Sequence, residues 1–245
     1  MKFSLITPEH SKQNIPFLIE LYDSIVAQTY DQWEWILFVN GQLDPSDIPA
    51  QIKNNAKVKV IQGVTKTSNI GEIKNLAFHC GEGDVLVEVD HDDLLLPECL
   101  AELYAVYTRN SDVGFVYSDD AVLHMTSEFV PYDSGYGWTH EPFEWNGRKL
   151  IHMHSFEPSS HNVGLIWYGP DHVRSWRKDV YRKIGGHNPE LSICDDQELF
   201  IRTYLVTKMV RIPKVLYIYR VTGDNTWIAR NQAIQLKTVE LFHQY

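Results

Sequence analysis

The chain has 245 residues, 44% of them hydrophobic and 12% aromatic, and a formal net charge of −10. That is enough apolar material to bury a sizeable core, and it excludes a disordered chain. The acidic balance argues against nonspecific binding to nucleic acid or an anionic membrane, and no apolar stretch reaches the length of a membrane span.

The opening "MKFSLITPEHSKQ" holds too short an apolar core for a signal peptide and reads as a first strand that stops at Pro8. "IPFLIELYDSIVAQ" has apolar residues at helical spacing, and "WEWILFVN" is a β-rich run ending at the turn pair Asn40-Gly41. "KVKVIQG" alternates with period two, "NIGEIKNLAFHC" is helical again, and "DVLVEV" is a buried strand. "PECLAELYAVY" predicts a helix with Pro97 in its first turn, and "DVGFVYSD" another strand. Such alternation predicts parallel strands joined by right-handed crossovers, an α/β sandwich. The whole chain is expected to form one domain, with residues 1–118 as one half and 119–245 as the other. Cys80, Cys99 and Cys194 are odd in number and have no CxxC spacing, which points to reduced thiols and a cytoplasmic protein.

Ligands of open sheets bind beyond the carboxyl ends of strands. Thr7-Pro8-Glu9, Asn40-Gly41 and Asp90-His91-Asp92 all fall at such ends. In an extended chain Asp90 and Asp92 point the same way. Two carboxylates about 6 Å apart repel by about 3 kcal/mol at an effective dielectric near 20. A divalent cation relieves that, and an all-oxygen ligand set suits Mg²⁺ or Mn²⁺, with a diphosphate completing the shell. The alternative is that Asp92 or Asp93 caps the helix that follows.

A strand ending in Asp-x-Asp, a further Asp, an apolar run and Pro resembles the signature of the family 2 glycosyltransferases, which have the GT-A fold. "FSLITPEHS", "LYDSIVAQTYDQWEWILFVNG", "NIGEIKNLAFHCGEGDVLVEVDHDD", "WRKDVYRKIGGHNPELSICDDQELFIR" and "VLYIYR" resemble successive segments of that family, in its order and over nearly the whole chain. The resemblance implies a GT-A type Rossmann-like αβα sandwich with a mostly parallel central sheet. Its first half would bind a nucleotide-sugar donor, and its second half would hold the acceptor and the catalytic base. Thr7, Pro8 and Glu9 would line base and ribose. Asn40 stands where the family usually has an Asp that reads the base. Gly71 allows close backbone approach or simply starts a helix. Lys74 is a base or phosphate contact or a solvated helix residue, and Asn75 holds a loop or is a surface amide. Asp90 would bind ribose or metal, and Asp92 the metal, Mn²⁺ or Mg²⁺.

The segment 119–170 carries many aromatics, among them Tyr132, Tyr136, Trp138, Phe143, Trp145, Trp167 and Tyr168, which suit sugar stacking or packing. His152, His154 and His161 fit no common zinc spacing, and no cysteine assists them. His172, Arg174 and Trp176 are candidate donor or acceptor contacts, and Arg177 a candidate for structural pairing. After "VLYIYR" this chain has Thr222 where many family members have a metal-assisting His, which leaves His154 and His172 as candidate third ligands. The final "NQAIQLKTVELFHQY" reads as an amphipathic helix that packs on the sheet or meets a partner or membrane surface.

Transfer needs a general base on the acceptor hydroxyl, opposite the departing diphosphate. Asp195-Asp196 matches the family's base segment. Asp196 aligns with the base of an inverting enzyme and Asp195 is a neighbouring contact; otherwise both are first-turn acids of a helix. The expected function is metal-dependent, inverting sugar transfer, from a UDP-sugar before other donors, to a glycan or lipid-linked acceptor. A sugar-nucleotide nucleotidyltransferase would want a Gly-rich basic loop near the N-terminus, which "TPEHSKQNIP" does not supply. A non-catalytic sugar-binding protein on the same fold would not need Asp92 and Asp196.

Overall fold

The computed structural model describes residues 1–125, 134–166, 169–223 and 225–245. Tyr132, Trp167, Tyr168 and Asp224 lie outside the described residues. The four early apolar runs form strands β1 (Phe3–Glu9), β2 (Trp33–Val39), β3 (Val58–Gln62) and β4 (Val85–Glu88). They lie in the order β3-β2-β1-β4, all parallel. Parallel neighbours need crossovers. These run through α1 (Ile15–Val26), the short α2 (Ala50–Lys53) and α3 (Ile70–His79).

After β4 come β5 (Leu94–Leu95), α4 (Cys99–Arg109), β6 (Val113–His124), β7 (Thr139–Trp145), β8 (Arg148–His154) and α5 (Ser160–Leu165). β9 (Arg174–Arg177), α6 (Lys178–Lys183), α7 (Asp195–Tyr204), β10 (Lys208–Val221), α8 (Thr226–Ala229) and α9 (Asn231–Gln244) complete the order. The sheet continues from β4 through β9, β6, β10 and β5. β9 runs antiparallel between β4 and β6, β6 and β10 are parallel, and the β7–β8 hairpin attaches antiparallel to β6. The sheet is therefore largely parallel but mixed, and it joins both halves of the chain.

Period two along the strands divides the core. Phe3 and Leu5 of β1, Trp35 and Leu37 of β2, and Val85 and Val87 of β4 pack with Leu18 and Leu21 of α1 and Leu100 and Leu103 of α4. Ile6, Ile36 and Leu86 point the other way and pack with Phe78 of α3 and Leu199 and Phe200 of α7. Ile234 and Leu241 of α9 join this second cluster, so the last amphipathic segment packs on the fold. Among the described residues no helix is long and apolar enough to cross a membrane.

The close approach at Gly71 is to protein. A Cβ there would stand 2.0 Å from the Asn188 carbonyl oxygen, and the Gly71 N–H donates to Leu191 O at 3.0 Å. Since both obstacles are backbone, Gly71→Ala should lower stability by about 1–3 kcal/mol, the usual cost of overpacking. Urea unfolding checks this, and an unchanged midpoint would mean that the 188–191 turn yields freely.

Candidate active site

The second core face turns ionic as it reaches the carboxyl ends of the strands. Leu86 of β4 pairs across the ladder with Trp176 of β9, and two residues on Glu88 pairs with Arg174. The same face thus passes from a buried apolar pair to a buried ionic one. Glu88 Oε1 accepts a very short hydrogen bond from Lys74 Nζ of α3, and its Oε2 lies 3.9 Å from Arg174 Nη1. Arg174 also donates to Pro170 O at 3.2 Å and to Asp196 Oδ2 of α7 at 3.1 Å, and its guanidinium covers the Phe200 ring at 4.7 Å. Burial opposes the charge on Lys74, but Glu88, Asp195, Asp90 and Asp196 outweigh it and hold the ammonium well above its ordinary value. Burial opposes the charge on Glu88 too, and Lys74 followed by Arg174 overcomes it and holds the carboxyl well below the usual range. Both groups are therefore ionised at neutral pH.

Helix α7 begins at Cys194, whose φ of 56° is left-handed backbone that a non-glycine residue rarely takes. Asp195 and Asp196 follow as its first two helical residues. Asp195 is buried, with Oδ2 3.9 Å from Lys74 Nζ and 3.7 Å from His187 Nε2. Burial pushes its carboxyl up, against the pull of Lys74. Burial pushes His187 down to about 3, so that ring is neutral, with Nδ1 bonded to Tyr181 OH at 2.7 Å. Asn75 donates to Gly185 O and His187 O, so its amide holds the loop after α6. Asp196 alone of the acidic pair keeps an open side, with its side chain 32% exposed.

At the end of β4, the Asp90 N–H donates to Tyr217 OH at 3.0 Å, and Asp90 Oδ2 lies 3.7 Å from His172 Nε2. The His172 ring stacks on Tyr217 at 4.8 Å and is buried; burial, with Arg174 beside it, pushes its pKa well below the ordinary value. Asp93 is fully buried and accepts from the Arg220 N–H at 2.7 Å. Neither Asp92 nor Asp93 caps the next helix, because α4 starts from Glu98. Burial raises the carboxyls of Asp120 and Asp171, which interact with one another, Asp171 to about 6.

The donor set fits a hard divalent cation. Asp90 and Asp92 are partly exposed carboxylates, whereas Asp93 is buried and burial raises its carboxyl well above the usual range. Among the described residues no third His, Cys, Asp or Glu atom closes a tight cage with them. An ion held here would keep several positions for phosphate and water, as Mg²⁺ and Mn²⁺ do.

The strand-end residues divide by face. Thr7 shares the face of Phe3 and Leu5, so it is buried, and its hydroxyl accepts from Trp35 Nε1 at 3.0 Å. Pro8 is half-buried. Glu9 Oε1 accepts from the N–H groups of His10 and Ser11 and from Asn14 Nδ2, while Oε2 lies 3.7 Å from His91 Nδ1. Asn40 is buried beside it, its N–H donating to Glu9 O at 2.9 Å. Trp176 is fully buried in the core and donates to Thr203 Oγ1 at 3.0 Å. Arg177 pairs with backbone carbonyls of Tyr107, Asn110 and Val113. His154 lies apart on β8, bonded to Thr139 at 2.9 Å, and His161 is exposed on α5.

The model of glycosyl transferase family 2 matches residues 4–165. The chain belongs to that family. A Sinorhizobium fredii relative of uncharacterised function is 28% identical over 88% of this chain and 22% of its own, so the chain spans about a fifth of that relative. The Staphylococcus aureus poly(ribitol-phosphate) β-N-acetylglucosaminyltransferase TarS, residues 1–349 with UDP-GlcNAc, superposes with a TM-score of 0.71 at 18% identity, covering 99% of this chain and 65% of that one. The mannosyltransferase PcManGT of Pyrobaculum calidifontis, with GDP-Man and Mn²⁺, superposes with a TM-score of 0.63 at 13% identity, covering 95% and 60%. These two likenesses show a shared GT-A fold.

Several residues around the site of this family 2 glycosyltransferase escape a reading of its sequence. Tyr217 lies within an apolar strand pattern, and His187 follows a Gly-Gly turn. Asp120 and Asp171 lie far apart in the chain and meet only because β9 returns beside β6. "SDD" inside a strand pattern, at Ser118-Asp119-Asp120, is the one local signal among them.

Removing one partner of a buried ion pair leaves the other charge uncompensated. Lys74→Met should therefore cost about 3–5 kcal/mol by denaturant unfolding at neutral pH. Adding Glu88→Gln should return a measurable part of that loss. Simple additivity of the two changes would mean that Lys74 and Glu88 are not coupled.

Proposed function

We propose that this glycosyltransferase moves a sugar from a nucleotide-diphosphate sugar, a UDP-sugar before others, to a hydroxyl of a glycan or lipid-linked acceptor, with inversion and with Mn²⁺ or Mg²⁺ at the diphosphate. One observation carries the reading. Asp90 and Asp196 come from distant parts of the chain, have side chains 33% and 32% exposed, and both interact with Lys74 and Arg174. A carboxylate suited to a cation and one suited to a proton thus meet the same two buried cations. The UDP-GlcNAc complex of TarS and the GDP-Man and Mn²⁺ complex of PcManGT support a nucleotide sugar and a divalent ion.

In this reading Asp92 and Asp90 hold the ion, which would stabilise negative charge on the departing diphosphate as a Lewis acid. Pro8, Glu9 and Asn40 border the base and ribose. Thr7 supports them from beneath, and Gly71 and Lys74 fix α3 and β4 under the phosphates. Asp196, oriented by Arg174, accepts the proton of the acceptor hydroxyl. That oxygen forms its bond to the anomeric carbon as the bond from that carbon to the diphosphate oxygen breaks, and the electron pair leaves with the nucleoside diphosphate. Attack from the Asp196 side, opposite the leaving group, inverts the centre. His172, neutral and stacked on Tyr217, and the buried Asp195 hold the two carboxylates in place. Trp176 acts only through the core.

Two variants separate ion from base. Asp92→Asn should weaken UDP binding measured calorimetrically with Mn²⁺, to the level that wild type shows in EDTA. Asp196→Asn should leave UDP binding intact and lower kcat by about 10²-fold or more, the scale of a lost general base. Equal UDP affinity with and without metal overturns the ion assignment. A product that retains the donor's anomeric configuration by NMR overturns the base assignment.

A further inference from the structure

The β7–β8 hairpin carries a second ligand set that the transfer reaction does not use. Glu141 pairs with His152 across the ladder, and Thr139 with His154. Period two along each strand puts all four side chains on one face. His152 Nδ1 lies 3.1 Å from Glu141 Oε1, His154 Nε2 lies 3.7 Å from the same oxygen, and one ligand atom from each of the three residues falls within 4.8 Å of the others. A tetrahedral zinc shell, with bonds of about 2.0–2.2 Å, places its ligand atoms about 3.3–3.5 Å apart. The two measured spacings bracket that edge.

The remaining ring nitrogens are held. His152 Nε2 lies 2.9 Å from Asp119 Oδ2, and His154 Nδ1 lies 2.9 Å from Thr139 Oγ1. Asp119 is fully buried and takes two bonds from Arg211, at 2.7 and 2.8 Å, and one from the Ser155 N–H. Metal-ligating histidines are oriented in this way, by a carboxylate or oxygen on the nitrogen that faces away from the ion. The group opens on a cavity of about 410 Å³ bordered by Gly137, Phe156 and Pro213, with none of Asp90, Asp92 or His172 in its wall.

We propose that Glu141, His152 and His154 bind a divalent d-block cation, zinc, at a site separate from the donor ion. Two imidazoles and one carboxylate suit zinc and are poor ligands for Mg²⁺. Three protein ligands leave one position open to the cavity, for water or an oxygen ligand. The ion fastens β7 to β8, and through Asp119 and Arg211 it fastens the hairpin to β6 and β10. "HMH" at 152–154 is the sequence trace of the site: alternate residues of a strand share a face, and Glu141 comes from the partner strand. His161, exposed on α5, has no part in it.

The test uses the whole metal-free chain without nucleotide. Zn²⁺ is titrated against a chromophoric chelator, and Co²⁺ serves as the spectroscopic probe. Wild type should take up one tight equivalent and give the intense visible absorption of four- or five-coordinate Co²⁺. Glu141→Gln, at an exposed position, and His154→Gln should each weaken Zn²⁺ by at least tenfold and lose that absorption, while Asp92→Asn keeps both. Wild-type zinc affinity in the two hairpin variants overturns the proposal. So does loss of the tight equivalent in Asp92→Asn, which would put the ion at the donor site, or a weak octahedral Co²⁺ spectrum in wild type.

Discussion

The buried chain of charges from Lys74 through Glu88 and Arg174 to Asp196 is what the rest of the site depends on. Its members come from α3, β4, β9 and α7, and although a short loop links α3 to β4, β5 through α5 intervene between β4 and β9. Apolar packing brings these elements together without fixing their register, because burial is not directional. Charged hydrogen bonds are directional, and a buried charge that loses its partner costs several kcal/mol. Sliding α3 along β4, or α7 past β9, would strand Glu88 or Arg174, so the ionic chain holds the helices in one register on an otherwise oily face. It also explains the order of residues on that face. Leu86 and Trp176 fill the interior, and Glu88 and Arg174 follow, still buried, toward the carboxyl end of β4.

Much of this was legible in the sequence, and what was not follows a rule. The strand and helix runs as far as β6 have clear periods, and the alternation of types made a parallel αβα arrangement the economical answer. Asp90-His91-Asp92 could be placed at a strand end by hydropathy alone. The facing of single residues was harder. Thr7 belongs to a polar strand end, yet period two puts it with Leu5, under Trp35. Lys74 looks like a solvated helix residue until β4 is known to lie beneath it. Trp176 reads as a donor or acceptor contact, but its register with Leu86 and Phe115 places it at the centre of the core. The antiparallel insertion of β9 between β4 and β6 lies behind the last case. It also brings Asp171 to Asp120, and no local pattern announces a return of the chain to the middle of a sheet.

In the proposed reaction, the balance of charge decides how a diphosphate would be received at these strand ends. Lys74 and Arg174 are strong cations, but their nearest partners are Glu88 and Asp196, with Asp195 within 3.9 Å of Lys74. Their charge is directed into the fold. His172, which lies against Asp90, is kept neutral by burial and adds none. The partly exposed charges at the end of β4 are instead Asp90 and Asp92. A diphosphate brought against them meets repulsion of about 3 kcal/mol for each pair of charges 6 Å apart at an effective dielectric near 20. A divalent ion between carboxylates and phosphates would attract both and outweigh that repulsion, and its remaining positions suit oxygen ligands. Under the proposed function, the inward pairing of Lys74 and Arg174 is therefore also the reason that a diphosphate at these strand ends would need a cation from solution.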